Sequence, residues 1–109
     1  MQVFEYTDKL LDLIWGNFNA IAHPLRLKII LALKEEPTCV CELAEKLGER
    51  QPLISQHLSI LKESGLVTTK RMGNKIQYSL SNETIIDIIE IMREITLKRV
   101  KELSKIQGG

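Results

Sequence analysis

The order of apolar and polar positions predicts a run of helices, then a hairpin, then one long helix. Over residues 3–15, Phe4, Leu10, Leu11, Ile14 and Trp15 recur among Glu5, Asp8, Lys9 and Asp12, the spacing of an amphipathic helix. Gly16 and Asn17 interrupt it. Phe18 and Ile21 predict a short second helix that stops at His23, because Pro24 restricts the residue before it. Pro24 suits the first turn of the next helix, which carries Leu25, Leu27, Ile29, Ile30 and Leu33 to Glu36 and is ended by Pro37. Thr38 is a suitable N-cap for CVCELAEKLG, where Val40, Leu43, Ala44 and Leu47 make one stripe and Gly48 is the stop. Pro52 opens another helix with Ile54, Leu58 and Leu61 inward and Gly65 at its end. Two short helices joined by a tight glycine-containing turn predict a helix-turn-helix.

From Leu66 to Leu80 the period changes. LVTTKRMGNKIQYSL holds the β-formers Val67, Thr68, Thr69, Ile76 and Tyr78 on either side of Met72-Gly73-Asn74, which predicts a hairpin with a Gly-Asn tip. Ser81 or Asn82 then caps a helix over 82–106. Its apolar residues, Ile85, Ile86, Ile88, Ile89, Ile91, Met92, Ile95, Leu97, Val100, Leu103 and Ile106, cover more than one stripe in the first three turns. One face suffices for the domain, so the excess is expected to meet a second copy. The expected homodimer interface is Phe4, Leu11 and Ile14 on the first helix with Ile85, Ile88, Ile89, Met92 and Ile95 on the last. The fold expected is mostly α with a small β-hairpin wing, ordered α-α-α-α-β-β-α, in a single domain over 1–109.

Composition supports one globular domain: 109 residues, 44% apolar and 27% charged. No apolar run approaches the roughly 18 residues of a membrane span, and the early acidic residues do not read as a signal peptide. The expected compartment is the cytoplasm, where thiols stay reduced. The net charge of +1 is unevenly spread: residues 1–49 carry −3, residues 50–80 carry +4, and residues 81–109 carry 0. A basic segment of this kind faces anionic polymers. No phosphate-cradling glycine loop, HExxH or GxSxG is present, and His23 and His57 lie far apart. No catalytic arrangement follows, and the chain is expected not to be an enzyme.

On the Pro52–Ser64 helix, the face opposite the apolar stripe presents Ser55, Ser59 and Lys62, flanked by Gln56, with Gln51 at the start. These side chains reach base edges or phosphates from a major-groove helix, and Arg71, Asn74 and Lys75 would follow from the hairpin. His57 neighbours the stripe and either packs there or touches DNA. His23 is expected to be structural, at the start of the helix after it.

The only cysteines are Cys39 and Cys41. With Val40 inward, helical geometry turns each of them about 100° away from the core. A first-turn position favours thiolate, and a cytosolic pair of this kind suits metal binding or redox chemistry better than a structural disulfide. The i, i+2 side chains of an ideal helix diverge by about 200°, whereas two sulfurs on one ion must approach within roughly 4 Å. Chelation is therefore expected to bend or unwind the first turn.

The stretch IAHPLRLKIILAL followed by CVCELAEKLGERQPLISQHLSILKESGLVTTKRMGNKIQYSL resembles the ArsR/SmtB family of metal- and metalloid-responsive repressors over about residues 15–100. Ser55-Gln56-His57-Leu58 and Leu61 to Val67 fall at the family's recognition helix and the turn into its wing. The resemblance implies a dimer on an inverted-repeat operator in double-stranded DNA that leaves when an effector binds. CVCEL resembles the family's CxC site for soft ions, arsenite and antimonite or Cd(II), Pb(II) and Zn(II); no resident cofactor is implied. The arsenic-type pattern often has a third cysteine where Ala44 stands, and the cadmium-type pattern has N-terminal cysteines that residues 1–38 lack. A small thiol or water would have to complete the site. The family's last-helix Asp/His site is absent, since Ile89 stands where a histidine is expected after Asp87. Two other readings stay open: a thiol redox or persulfide switch on the same fold, and a winged interaction module without metal sensing.

Overall fold

The computed structural model describes residues 5–108, with side chains through residue 105. In chain order the elements are α1 (Asp8–Ile21), α2 (Pro24–Glu35), β1 (Thr38–Cys39), α3 (Val40–Leu47), α4 (Gln51–Glu63), β2 (Val67–Met72), β3 (Lys75–Leu80) and α5 (Thr84–Gly108). The expected order is present, with one strand added.

Two local expectations are corrected. The first is the break at Gly16: α1 runs through it as one helix. The Thr7 hydroxyl caps α1 by accepting the Leu10 N–H at 3.1 Å. An interior glycine costs only about 1 kcal/mol relative to alanine, which packing of Ala20 and Ile21 in the core offsets. The second is the cap at Thr38. This residue is buried in β1, and its hydroxyl donates to the Glu36 carbonyl at 2.8 Å. The N-cap of α3 is Cys39, with extended backbone (φ −89°, ψ 167°) and no side-chain capping bond.

The sheet is antiparallel with strand order β1-β3-β2. Thr38 pairs with Tyr78 and Cys39 with Gln77. Six pairs, from Val67 with Leu80 to Met72 with Lys75, join β2 to β3. At the tip, Gly73 takes φ +65° while Asn74 does not enter positive φ, as a two-residue turn with glycine first requires.

The core forms where α2, α3 and α4 meet the base of the sheet. Ile29 and Ile30 of α2, Leu43 of α3, and Ile54, Leu58 and Leu61 of α4 are fully excluded from water. Asn82 opens α5 by accepting the Thr84 N–H at 2.9 Å. Only the start of α5 joins this core: Ile85 and Ile86 are buried and Ile89 packs against their cluster. Every described side chain from residue 90 to 105 is exposed. The radius of gyration is 17.0 Å, against about 13 Å for a compact chain of this size, because α5 leaves the body.

Leu58 has no exposed surface. Leu58→Ala should lower unfolding free energy by about 2–5 kcal/mol, measured by urea denaturation.

Candidate nucleic-acid interface and thiol pair

Helix α4 separates its residues by face. Ile54, Leu58 and Leu61 enter the core, while Gln51, Ser55, Gln56, Ser59 and Lys62 are all exposed. Gln51, Ser55 and Ser59 follow at intervals of four and Lys62 three further on, so they share one side of the helix. The turn before α4 is set by Gly48 (φ +68°), and Gly65 (φ +77°) ends the segment. From Gly65 the chain enters β2 at once, which ties the wing to the C-terminal end of α4. Arg71, Asn74 and Lys75 on that wing are exposed, as are Arg50 and Lys70. Among the described residues the ion pair is Lys34–Glu90 at 3.9 Å. The cations of the basic segment are therefore left to solvent or a ligand.

His57 is a correction to the set. It is buried beneath α4, and its Nδ1 lies 3.2 Å from Nη1 of Arg26 on α2. Its ring stacks at a tilt on His23, with centroids 4.5 Å apart. Facing the domain interior, it cannot reach a groove from this position. Burial first, then the His23 and Arg26 charges, push its pKa below the ordinary value. The partnership with Arg26 was not visible in the sequence, because side chains 31 positions apart leave no periodic trace. His23 has the structural role expected: its Nδ1 accepts the Leu25 N–H at 3.0 Å and caps α2.

The thiols depart from expectation in a useful way. Cys39 is buried and Cys41 half-buried, and their sulfurs lie 3.0 Å apart. The helical divergence of i, i+2 side chains does not apply, because Cys39 precedes the helix in extended backbone. No unwinding of the first turn is needed to bring the sulfurs together. The Cys39 thiol also sits 3.5 Å from Oε1 of Glu42. Hydrogen bonding to Cys41 and burial raise the Cys39 pKa above its ordinary value, outweighing the opposite pull of the Glu42 backbone. Cys39 therefore does not gain the thiolate character expected of a first-turn cysteine. A cavity of ≈ 130 Å³ beside it is lined by Glu42 and by Met72, Lys75 and Gln77 of the wing. Among the described residues no three His, Cys, Asp or Glu side chains form a metal-holding group. Ala44 is in the core and offers no third donor.

The residues expected at the dimer contact divide. Ile85 belongs to the protomer's own core and Ile89 packs on it, which corrects the expectation for Ile85. Leu11, Ile88, Met92 and Ile95 are exposed, and Ile14 is half-buried. Phe4 lies outside the described residues, as does the Ile106 side chain. A cavity of ≈ 350 Å³ between α1 and α5 is lined by Ile14, Phe18, Ile21, Leu66, Ile85 and Ile88 among others. No described helix is long and apolar enough to cross a membrane.

A helix with a free polar face, a partner helix packed across it and a basic hairpin at its end define a winged helix-turn-helix protein. The family described as "Bacterial regulatory protein, arsR family" matches residues 23–69. The HTH-type transcriptional repressor SmtB of Mycobacterium tuberculosis is 41% identical over 81 residues, 74% of this chain and 60% of that protein. The arsenical resistance operon repressor of Escherichia coli is 43% identical over 65 residues, 59% of this chain and 56% of the relative. The chain thus spans about three-fifths of the length of these curated relatives. The crystal structure of NolR from Sinorhizobium fredii superposes with a TM-score of 0.75 at 35% identity, covering 87% of this chain and 96% of that one. The homodimeric winged helix-turn-helix domain Mb0332 from Mycobacterium bovis shares the fold, with a TM-score of 0.78 at 23% identity over 92% of this chain and 95% of that one. The chain belongs to the ArsR family of bacterial regulators, whose members are not enzymes.

Burial and a raised pKa both slow the reaction of Cys39. Iodoacetamide at neutral pH should label Cys41 before Cys39, read by peptide mass spectrometry; equal labelling would contradict the buried, raised-pKa state of Cys39.

Proposed function

We propose that this chain is a cytoplasmic transcriptional repressor that binds an inverted-repeat operator in double-stranded DNA as a homodimer. Release follows when a soft ion bridges Cys39 and Cys41, with arsenite or antimonite first and Cd(II), Pb(II) or Zn(II) as alternatives. The observation that carries this reading is the 3.0 Å contact between the two sulfurs. It sits at a residue that is both a strand partner of the wing and the N-cap of α3.

The donors suit a small coordination angle. At metal–sulfur bonds of about 2.3 Å, sulfurs this far apart subtend about 80°, narrower than a tetrahedral site. That supports a pyramidal three-coordinate ion, its third position filled by water or a small thiol. The bound ion supplies a bridge between the sulfurs. The chain supplies the response: Cys39 is paired with Gln77 of β3, so any shift of its backbone acts on the wing and on the start of α3 together. A coupling of about 1–3 kcal/mol is enough for release. The Cys39 thiol is held protonated: a divalent ion would expel its proton and bind more tightly as pH rises, whereas arsenite, entering as neutral As(OH)3, would lose hydroxides that leave with the thiol protons as water, with no net proton release.

Fluorescence anisotropy on a fragment from upstream of its own gene, under reducing conditions, tests the proposal. Arsenite should weaken binding by about 5–150-fold, and Cys39→Ser/Cys41→Ser should stay bound. Binding that no ion disturbs, or release in the serine variant, would sink it. The same sulfur contact favours a second reading, in which the thiols lose two protons and two electrons to a peroxide and form a disulfide. Release by peroxide without any ion would select that reading. No DNA binding even at low salt would leave an interaction module.

Homodimerisation rests on the free apolar faces. Ile88, Met92 and Ile95 follow helical spacing on the exposed part of α5, with Leu11 and Ile14 on α1 across the apolar cavity. Met92→Glu/Ile95→Glu should convert a dimer to a monomer in sedimentation velocity while leaving the helical circular dichroism in place.

A further inference from the structure

We infer that Arg26 is a positioning residue for α4: it holds this helix through a neutral His57, and acid releases the hold. The inference deepens the reading of α4 as the helix that meets DNA. An arginine has donors only, so the 3.2 Å contact from its Nη1 makes His57 Nδ1 an acceptor. His57 therefore carries its single proton on Nε2. The Nδ1 of His23 is likewise occupied, accepting the Leu25 N–H. The joint thus brings together two tilted imidazoles and a guanidinium in contact with one of them, and no carboxylate is paired with any of them among the described residues.

The elements packed on α4 are α1, α2, α3 and β2. Arg26 comes from α2 and His23 from the turn before it. The buried residues that α1, α3 and β2 bring to this core are Ala20, Ile21, Leu43, Ala44 and Val67, none of them charged. A proton added at His57 Nδ1 would remove the acceptor and set a second cation against Arg26. The Nε of Arg26 is already buried without a partner, so losing the His57 contact would leave a second donor of this side chain unpaired. Burial first, then the electrostatic influence of His23 and Arg26, lowers the His57 pKa. The unfolded chain then binds the proton more readily than the folded one. The contribution is fully present above the ordinary value of about 6.5 and is lost as pH falls below it.

NMR of the DNA-free dimer between about pH 5 and 8 tests this. The His57 ring should titrate below about 6.5, and the amides of Gln51–Glu63 should shift with it. Arg26→Met should move that titration upward. In His57→Gln, which keeps an acceptor but does not titrate, the α4 amides should stay still over the same range. The inference is overturned if His57 titrates without moving α4, if Arg26→Met leaves its titration in place, or if the α4 shifts persist in His57→Gln. Either variant alone decides should the other fail to fold. DNA affinity measured alongside should fall on acidification in the wild type and hold in His57→Gln, by about tenfold for each unit by which the His57 pKa of the free and DNA-bound dimers differs. Absence of DNA binding at every pH, with the NMR result as expected, would fail the repressor reading and not this one.

Discussion

Everything at the functional face depends on the burial of one stripe of α4. Ile54, Leu58 and Leu61 are fully withdrawn from water, and that burial sets the rotation of the helix. With the stripe inward, Gln51, Ser55, Ser59 and Lys62 have only the outside to occupy. Because β2 begins two residues beyond Gly65, the wing inherits the same orientation. The hydrophobic effect, which is non-directional, here acquires direction from helical periodicity. It selects which polar groups are offered to a ligand without itself recognising anything.

The sequence revealed most where a period or a special backbone position carried the information. The stripes of α3 and α4, the stops at Gly48 and Gly65 and the Gly-Asn tip each lie within a few residues, and each is present in the structure. Legibility was lower where distant segments decide. A strand of two residues, Thr38 and Cys39, has no alternation to read; only its pairing with Gln77 and Tyr78 makes it a strand. Treating Cys39 as helical sent its sulfur in the wrong direction. The burial of His57 depends on Arg26 and His23, which no local pattern links to it. Gly16 misled for the opposite reason: a weak local preference was overridden by the packing around it.

The long last helix divides its work by position. Ile85 and Ile86 complete the protomer's core, while the exposed apolar residues further along have nothing in the protomer to cover them. A continuous ladder of isoleucines therefore serves two ends, and only the place where α5 leaves the body separates them.

The sheet is held together unequally. β3 shares six residue pairs with β2 but only two with β1. Opening a ladder costs free energy in proportion to what it holds, and regions with few such bonds open locally before the fold as a whole. The β1 seam is therefore the weakest join in the sheet. Where it parts, the hairpin keeps its own internal order and moves as one piece. The geometry favours a swing of an intact wing about its root near Leu66 over a melting of its strands, and the sheet's weakest seam begins at Cys39, whose sulfur is the buried one among the described residues.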